Sequence, residues 1–240
     1  MRVADEKTIS LLQFIDLTSL NKSDTVENIA ALCKKAIFQN YHVAAVCVYP
    51  EFVTTAKKML INSEVKIATV ANFPAGTQAL KDVLSSIENA ILQGVDELDV
   101  VFPYENYLMG QKNQSYDFIR ACKNHIPKTK ILKIIIEAGV LKKSNIISEV
   151  TRELCEMGVD FIKTSTGKSA IGATIDAAEI ILNTIKQSPN QVGLKVSGGI
   201  RTVSEMQKYI NLIENIMGRD WLTPSKFRVG ASQLVDEILP

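Results

Sequence analysis

Residues 160–169 read DFIKTSTGKS, and the run Phe161-Ile162-Lys163-Thr164 inside them has the brevity and apolar flanks of a strand buried in a parallel sheet. A lysine stands where that pattern expects a valine. Lysine is rarely buried without a partner, and desolvation pushes its pKa down, which turns an inert cation into a nucleophilic amine. The bland reading of Lys163 is a strand-end residue whose stem packs on apolar surface while its head reaches water. The rest of the chain decides between the two.

Outward from this run the sequence alternates short apolar segments with stretches of helical period. Candidate strands are Phe14–Leu17, Ala44–Val48, Lys66–Val70, Glu97–Val101, Ile131–Ile136, Phe161–Thr164, Gly193–Val196 and Phe227–Gly230. Eight is the number that closes a parallel α/β barrel, and 240 residues without a glycine- or proline-rich linker suit one such domain spanning 1–240. Between the strands, Asp24 to Ile37 places Val26, Ile29, Ala30, Cys33 and Ile37 on one stripe, with Asp24 and Glu27 resembling a capping box. Gly94-Val95-Asp96 and Gly158-Val159-Asp160 each lead into a strand, so both glycines are expected just past a helix end.

Composition excludes several classes of function. Lys and Arg number 27 against 26 Asp and Glu, so no overall field recruits nucleic acid or an anionic membrane. An anionic ligand must therefore be held by a local site. The start, MRVADEKTIS, lacks the apolar core of a signal peptide, and no stretch reaches the ~18 apolar residues of a membrane span. A soluble cytoplasmic protein is expected. Cys33, Cys47, Cys122 and Cys155 stand apart without CxxC spacing, and His42 and His125 are the only histidines. That argues against a zinc site and against a Ser-His-Asp triad, and the Asn21 and Asn113 glycosylation triplets are chance without secretion.

Polar residues interrupt the candidate strands in a pattern. Asp16, Cys47, Asp99, Lys133, Lys163 and Lys195 lie within strands or near their carboxyl ends, and in a closed sheet the inward-pointing ones converge on one mouth. Asp16 could merely brace a turn, Cys47 could be a small core hydrophobe, and Lys133 could be paired with a neighbouring carboxylate. Asp99, Lys163 and Lys195 are harder to dismiss, because two lysines and an aspartate on buried strands form an acid–base set. After Lys195 comes Ser197-Gly198-Gly199-Ile200-Arg201-Thr202 and then a helix, whose free N–H groups could receive a phosphate. After the last strand comes Gly230-Ala231-Ser232, and barrels often bind phosphate between the loops after strands seven and eight. Gly167-Lys168-Ser169 is not the tail of a P-loop, since Ile162 stands where the required glycine would be, and no GxGxxG supports a dinucleotide.

DFIKTSTGK, ELDVVFPY, the glycine turn after Lys195, IDLTSLN and the terminal VGAS together resemble the deoxyribose-phosphate aldolases, class I aldolases of the TIM-barrel type. The resemblance runs from Phe14 to Leu234 with the motifs in order. It implies a single-domain (β/α)8 barrel that cleaves 2-deoxy-D-ribose 5-phosphate to D-glyceraldehyde 3-phosphate and acetaldehyde, without metal or organic cofactor, in deoxyribose phosphate breakdown. It further implies Lys163 as the Schiff-base lysine, Lys195 as a second catalytic lysine and Asp99 as the aspartate of a proton relay. Asp16, Cys47, Lys133 and Thr164 then belong to the substrate pocket, and Gly167, Lys168, Gly198, Gly199, Arg201, Gly230 and Ser232 to the phosphate turns. The partners implied are small phosphosugars and aldehydes, with a homo-oligomer, a dimer, by resemblance alone. The sequence departs from the family pattern at Gln233, where relatives carry a second serine, at Ala138, where a threonine is frequent, and in lacking a longer tail after Pro240. Another Schiff-base aldolase or transaldolase, or a non-catalytic sugar-phosphate-binding barrel, are the alternative readings.

Overall fold

Eight parallel strands close on themselves in the computed structural model, which describes residues 6–239. They are β1 (Ile15–Thr18), β2 (Ala45–Val48), β3 (Lys66–Ala71), β4 (Glu97–Val101), β5 (Ile131–Ile135), β6 (Phe161–Lys163), β7 (Gly193–Ser197) and β8 (Phe227–Ala231). Each pairs with its neighbours in sequence, and β8 pairs with β1 through Ile15 with Val229 and Leu17 with Ala231. This is the (β/α)8 TIM barrel. The first and last candidate strands are the pair that closes it. Phe14 ends a 3-10 turn instead of starting β1, and Ala44, Ile136 and Thr164 lie just outside their strands. A short antiparallel pair, Ile37–Phe38 with Tyr41–His42, was not expected.

Helices of the outer ring include α1 (Val26–Lys35), α2 (Val53–Met59), α3 (Leu80–Leu92), α4 (Lys112–His125), α5 (Ser144–Glu156), α6 (Ile175–Gln187), α7 (Val203–Met217) and α8 (Leu234–Ile238). Their buried faces follow the helical period, as in α3, where Val83, Ile87 and Ala90 pack inward. The expected helix from Asp24 is shorter: Thr25 caps it, the box is Thr25 with Asn28, and Ile37 has left the helix and is exposed. Thr25 wins the cap because its hydroxyl accepts the Asn28 N–H while the Asn28 side chain takes the Thr25 N–H. Gly94 and Gly158 do end α3 and α5, with φ of 92° and 73°. At each, the next residue's N–H reaches back, Val95 to the Ala90 carbonyl and Val159 to the Leu154 carbonyl, as the left-handed turn requires.

The strands are buried on both faces, so alternate residues meet different surroundings. Leu98, Val100, Leu132, Ile134, Ile162, Leu194, Val196 and Val229 join the main apolar core. Ala45, Cys47, Ala68 and Val70 form a second, smaller cluster with Leu20. Asp16, Glu97, Asp99, Lys133, Lys163, Lys195 and Arg228 are buried beside each other. All four cysteines are buried and unbridged, and no helix among the described residues is long and apolar enough to cross a membrane.

The seam between β6 and β7 is tight. A Cβ on Gly193 would stand 2.5 Å from the Phe161 ring and 2.7 Å from the Lys226 carbonyl oxygen. We expect Gly193→Ala to force these strands apart and lower stability by about 1–3 kcal/mol. An unfolding midpoint equal to the parent's in urea would contradict this.

Candidate active site

Register brings the charged residues together before any side chain bends. Lys163 lies beside Lys195 across β6 and β7, and Asp99 lies beside Lys133 across β4 and β5. Asp99 is the meeting point. Its Oδ2 accepts from Lys163 Nζ at 2.8 Å and from Lys195 Nζ at 2.7 Å, and its Oδ1 accepts from Lys133 Nζ at 2.9 Å. Lys195 also donates to Asp16 Oδ2 at 2.5 Å. Lys133 pairs with Glu97 Oε2 at 2.5 Å, and Arg228 bridges Asp16 Oδ1 at 2.7 Å and Glu97 Oε1 at 3.1 Å.

These contacts separate the three lysines electrostatically. Burial lowers the pKa of each amine, because an ammonium loses its water. For Lys195 the carboxylates of Asp16 and Asp99 outweigh burial, and for Lys133 Asp99 and Glu97 do the same, so both are raised and stay protonated. Lys163 is held down: burial leads, Asp99 opposes it, and the Lys195 charge adds to the lowering. Asp99 is pulled well below the usual carboxylate range, since Lys133, Lys163 and Lys195 outweigh the burial that would raise it. It is therefore ionised, an acceptor of hydrogen bonds with no proton of its own to donate. Burial pushes the Cys47 thiol up, leaving it a neutral member of the apolar wall.

Lys163, 2% exposed, is the member of this cluster that opens onto a cavity of about 250 Å³ at the carboxyl ends of the strands. Gly167, Lys168, Gly198, Gly199, Arg201, Gly230 and Ser232 line the same cavity, joined by Thr18, Asn21, Thr166 and Ser197. Asp16, Asp99, Lys133 and Lys195 stand behind Lys163, and Thr164 is tied to β7, accepting the Ser197 N–H at 3.1 Å. A larger cavity of about 550 Å³ lies at the other end of β5, against Leu132 and Asp160, and holds none of the cluster.

The turn after β7 differs from expectation in one respect. The start of α7 is closed by its own cap: Thr202 accepts the Glu205 N–H, and the Glu205 carboxylate takes the N–H groups of Arg201 and Thr202. The Val203 N–H goes to Glu237. The cap thus occupies the N–H groups of Arg201, Thr202, Val203 and Glu205, which the sequence alone leaves free for an anion. Gly198 and Gly199, with φ of 88° and 89°, hold the left-handed backbone that turns the loop over the cavity.

Besides the cavity-lining Thr18, Asn21 and Thr166, three charged residues escaped the sequence reading. Glu97 sits two positions before Asp99 on the same face of β4, a period-2 signal that was available. Arg228 interrupts FRVGA just as Lys195 interrupts GLKVS, so it too was legible. Glu137 gave no signal: it follows β5 with φ of 51° and anchors the turn after β6, accepting from Thr166 N at 3.2 Å and Oγ1 at 2.6 Å. Ala138, buried beside it, donates its N–H to the Thr164 carbonyl, which its missing hydroxyl does not disturb. Gln233 precedes α8 without capping it through its side chain.

Known proteins share this architecture. A protein from Coccidioides immitis provisionally named a deoxyribose-phosphate aldolase is 30% identical over 98% of this chain and 88% of its own, with a TM-score of 0.84. One from Toxoplasma gondii, named in the same provisional way, is 25% identical over 96% of this chain and 94% of its own, also with a TM-score of 0.84. A deoxyribose phosphate aldolase from Aeropyrum pernix, described as tetrameric, shares the fold at a TM-score of 0.78 and 22% identity, covering 96% of this chain and 90% of its own. The model of the DeoC/LacD family aldolases matches residues 10–219. The chain belongs to the DeoC/LacD family of aldolases.

Proposed function

We propose that this aldolase cleaves 2-deoxy-D-ribose 5-phosphate reversibly to D-glyceraldehyde 3-phosphate and acetaldehyde through an imine on Lys163, within cytoplasmic deoxyribose phosphate breakdown. The observation that carries this reading is that, among the described residues, Lys163 is the one amine both depressed in pKa and open to a cavity edged by glycine turns. The family membership and the names of the relatives support it.

The chemistry follows from the charge states. The neutral Lys163 amine adds to the C1 aldehyde carbon, giving a carbinolamine. The Lys195 ammonium protonates its hydroxyl, water leaves, and the protonated imine remains. A proton leaves the C3 hydroxyl for Asp99, directly or through water, and the C2–C3 bonding electrons move into the imine. Glyceraldehyde 3-phosphate departs, leaving an enamine. The proton taken by Asp99 passes to C2 of that enamine, and hydrolysis of the resulting iminium releases acetaldehyde, returns Lys163 as an amine and gives its proton back to Lys195. The imine is the electron sink, so the sequence of steps calls on no metal or organic cofactor. Lys168, Arg201 and the turns at Gly198, Gly199 and Ser232 hold the phosphate, which fixes C1 against Lys163.

Acetaldehyde with borohydride is expected to leave one reduced adduct per chain, on the peptide carrying Lys163. Lys163→Leu should abolish adduct and turnover while circular dichroism and phosphosugar binding persist; an adduct elsewhere, or efficient use of dihydroxyacetone phosphate as donor, would point to a different aldolase. The pH dependence has a definite sign. Because the folded-state pKa of Lys163 is depressed, its neutral form is present above that midpoint and lost as pH falls through it. We expect kcat/KM to fall on the acid side with a midpoint below the ordinary lysine range; a midpoint at the value of a solvated lysine would sink the mechanism.

A further inference from the structure

The chemistry above engages Lys163, Lys195 and Asp99 and leaves Asp16, Glu97, Lys133 and Arg228 inside the barrel without a task, of which Glu97 and Arg228 stand furthest from the reacting atoms. Glu97 is 1% exposed and Arg228 is 7% exposed, so neither is there for solubility. Arg228 is held on every side: Nη1 donates to Asp16 at 2.7 Å, Nη2 to Glu97 at 3.1 Å, Nε to the Pro224 carbonyl at 2.5 Å, and the guanidinium lies 5.8 Å from the Phe161 ring centre. Glu97 in turn holds Lys133.

The charges of the interior can be assigned strand by strand. β1 supplies Asp16, β2 Cys47, β4 Glu97 and Asp99, β5 Lys133, β6 Lys163, β7 Lys195 and β8 Arg228, while β3 supplies only Ala68 and Val70 to the apolar side. Three carboxylates therefore face four basic groups. One positive charge is in excess, and a dry interior does not tolerate it. The guanidinium cannot release a proton. Lys133 touches the carboxylates of Asp99 and Glu97 and lies 3.8 Å from that of Asp16, and Lys195 touches those of Asp16 and Asp99. Lys163 touches Asp99 alone. The amine with the fewest carboxylate partners gives up its proton most readily.

We infer that Arg228 and Glu97 are positioning residues that set the charge of Lys163: Arg228 supplies the permanent cation that puts the interior one charge over, and Glu97 keeps Lys133 protonated so that the excess is relieved at Lys163. This rests on Lys163 being the imine-forming amine. The pair touches no reacting atom and acts through Asp16, Lys133, Lys195 and Asp99.

The test follows acetaldehyde and cyanoborohydride labelling of the Lys163 peptide by mass spectrometry across pH, in the full chain, with circular dichroism to verify folding. Arg228→Met removes the surplus cation and is expected to raise the labelling midpoint by about one pH unit or more. Glu97→Gln deepens the excess and lowers it. Arg228→Lys keeps the charge and the parent midpoint, and the double variant Arg228→Met/Glu97→Gln, one cation over as in the parent, returns close to it. Should Arg228→Met fail to fold, a lowered midpoint in Glu97→Gln with a parental one in Arg228→Lys carries the inference. Equal midpoints in all folded variants overturn it. No labelling of Lys163 in the parent at any pH is a different result, and overturns the imine itself.

Discussion

A carboxylate in a dry enclosure cannot be left alone, and Asp99 answers that constraint by taking three lysine amines at once. Removing one partner from such a buried set typically costs about 3–5 kcal/mol, so each member holds the others in place. The same packing that makes the cluster stable makes its charge state specific. Lys133 and Lys195 are each held by at least two carboxylates, which leaves Lys163 as the amine best placed to be neutral. The ease with which one nitrogen gives up its proton is thus a property of the whole ring of strands.

Closure of the barrel is what keeps water out. With β1 paired to β8, no edge admits solvent between strands, and Lys163 meets the cavity at the mouth. There the chain changes character, from β-branched and leucine-rich strands to turns of glycine, serine and threonine. Glu137 steadies one of these turns through Thr166, and Thr164 joins it to Ser197 on the next strand. The cavity is therefore walled by backbone that is fixed from below, which is the condition for holding a flexible small ligand in a single pose.

The barrel was legible because its strands are buried on both faces and separated by helices with one apolar stripe, two patterns that a linear sequence records directly. The polar interruptions Asp99, Lys163 and Lys195 were legible for the same reason, as violations of that pattern. Strand ends were less so: Phe14 and Ile136 are as apolar as their neighbours, and only hydrogen bonding excludes them from β1 and β5. The cap of α1 shifted from Asp24 to Thr25 because side-chain reach, not residue type, chose between adjacent candidates.

By itself the sequence determined which residues are chemically out of place in a core: an amine in FIKT, a carboxylate in ELDVV, a second amine in GLKVS. It could not determine which of several buried amines loses its proton most easily. Lys133, Lys163 and Lys195 look alike in their strands, and their difference lies in how many carboxylates each one touches from strands up to 179 residues away. Only the closed tertiary structure counts those contacts, because Coulomb energy in a dry interior depends on distance through space and is indifferent to separation along the chain.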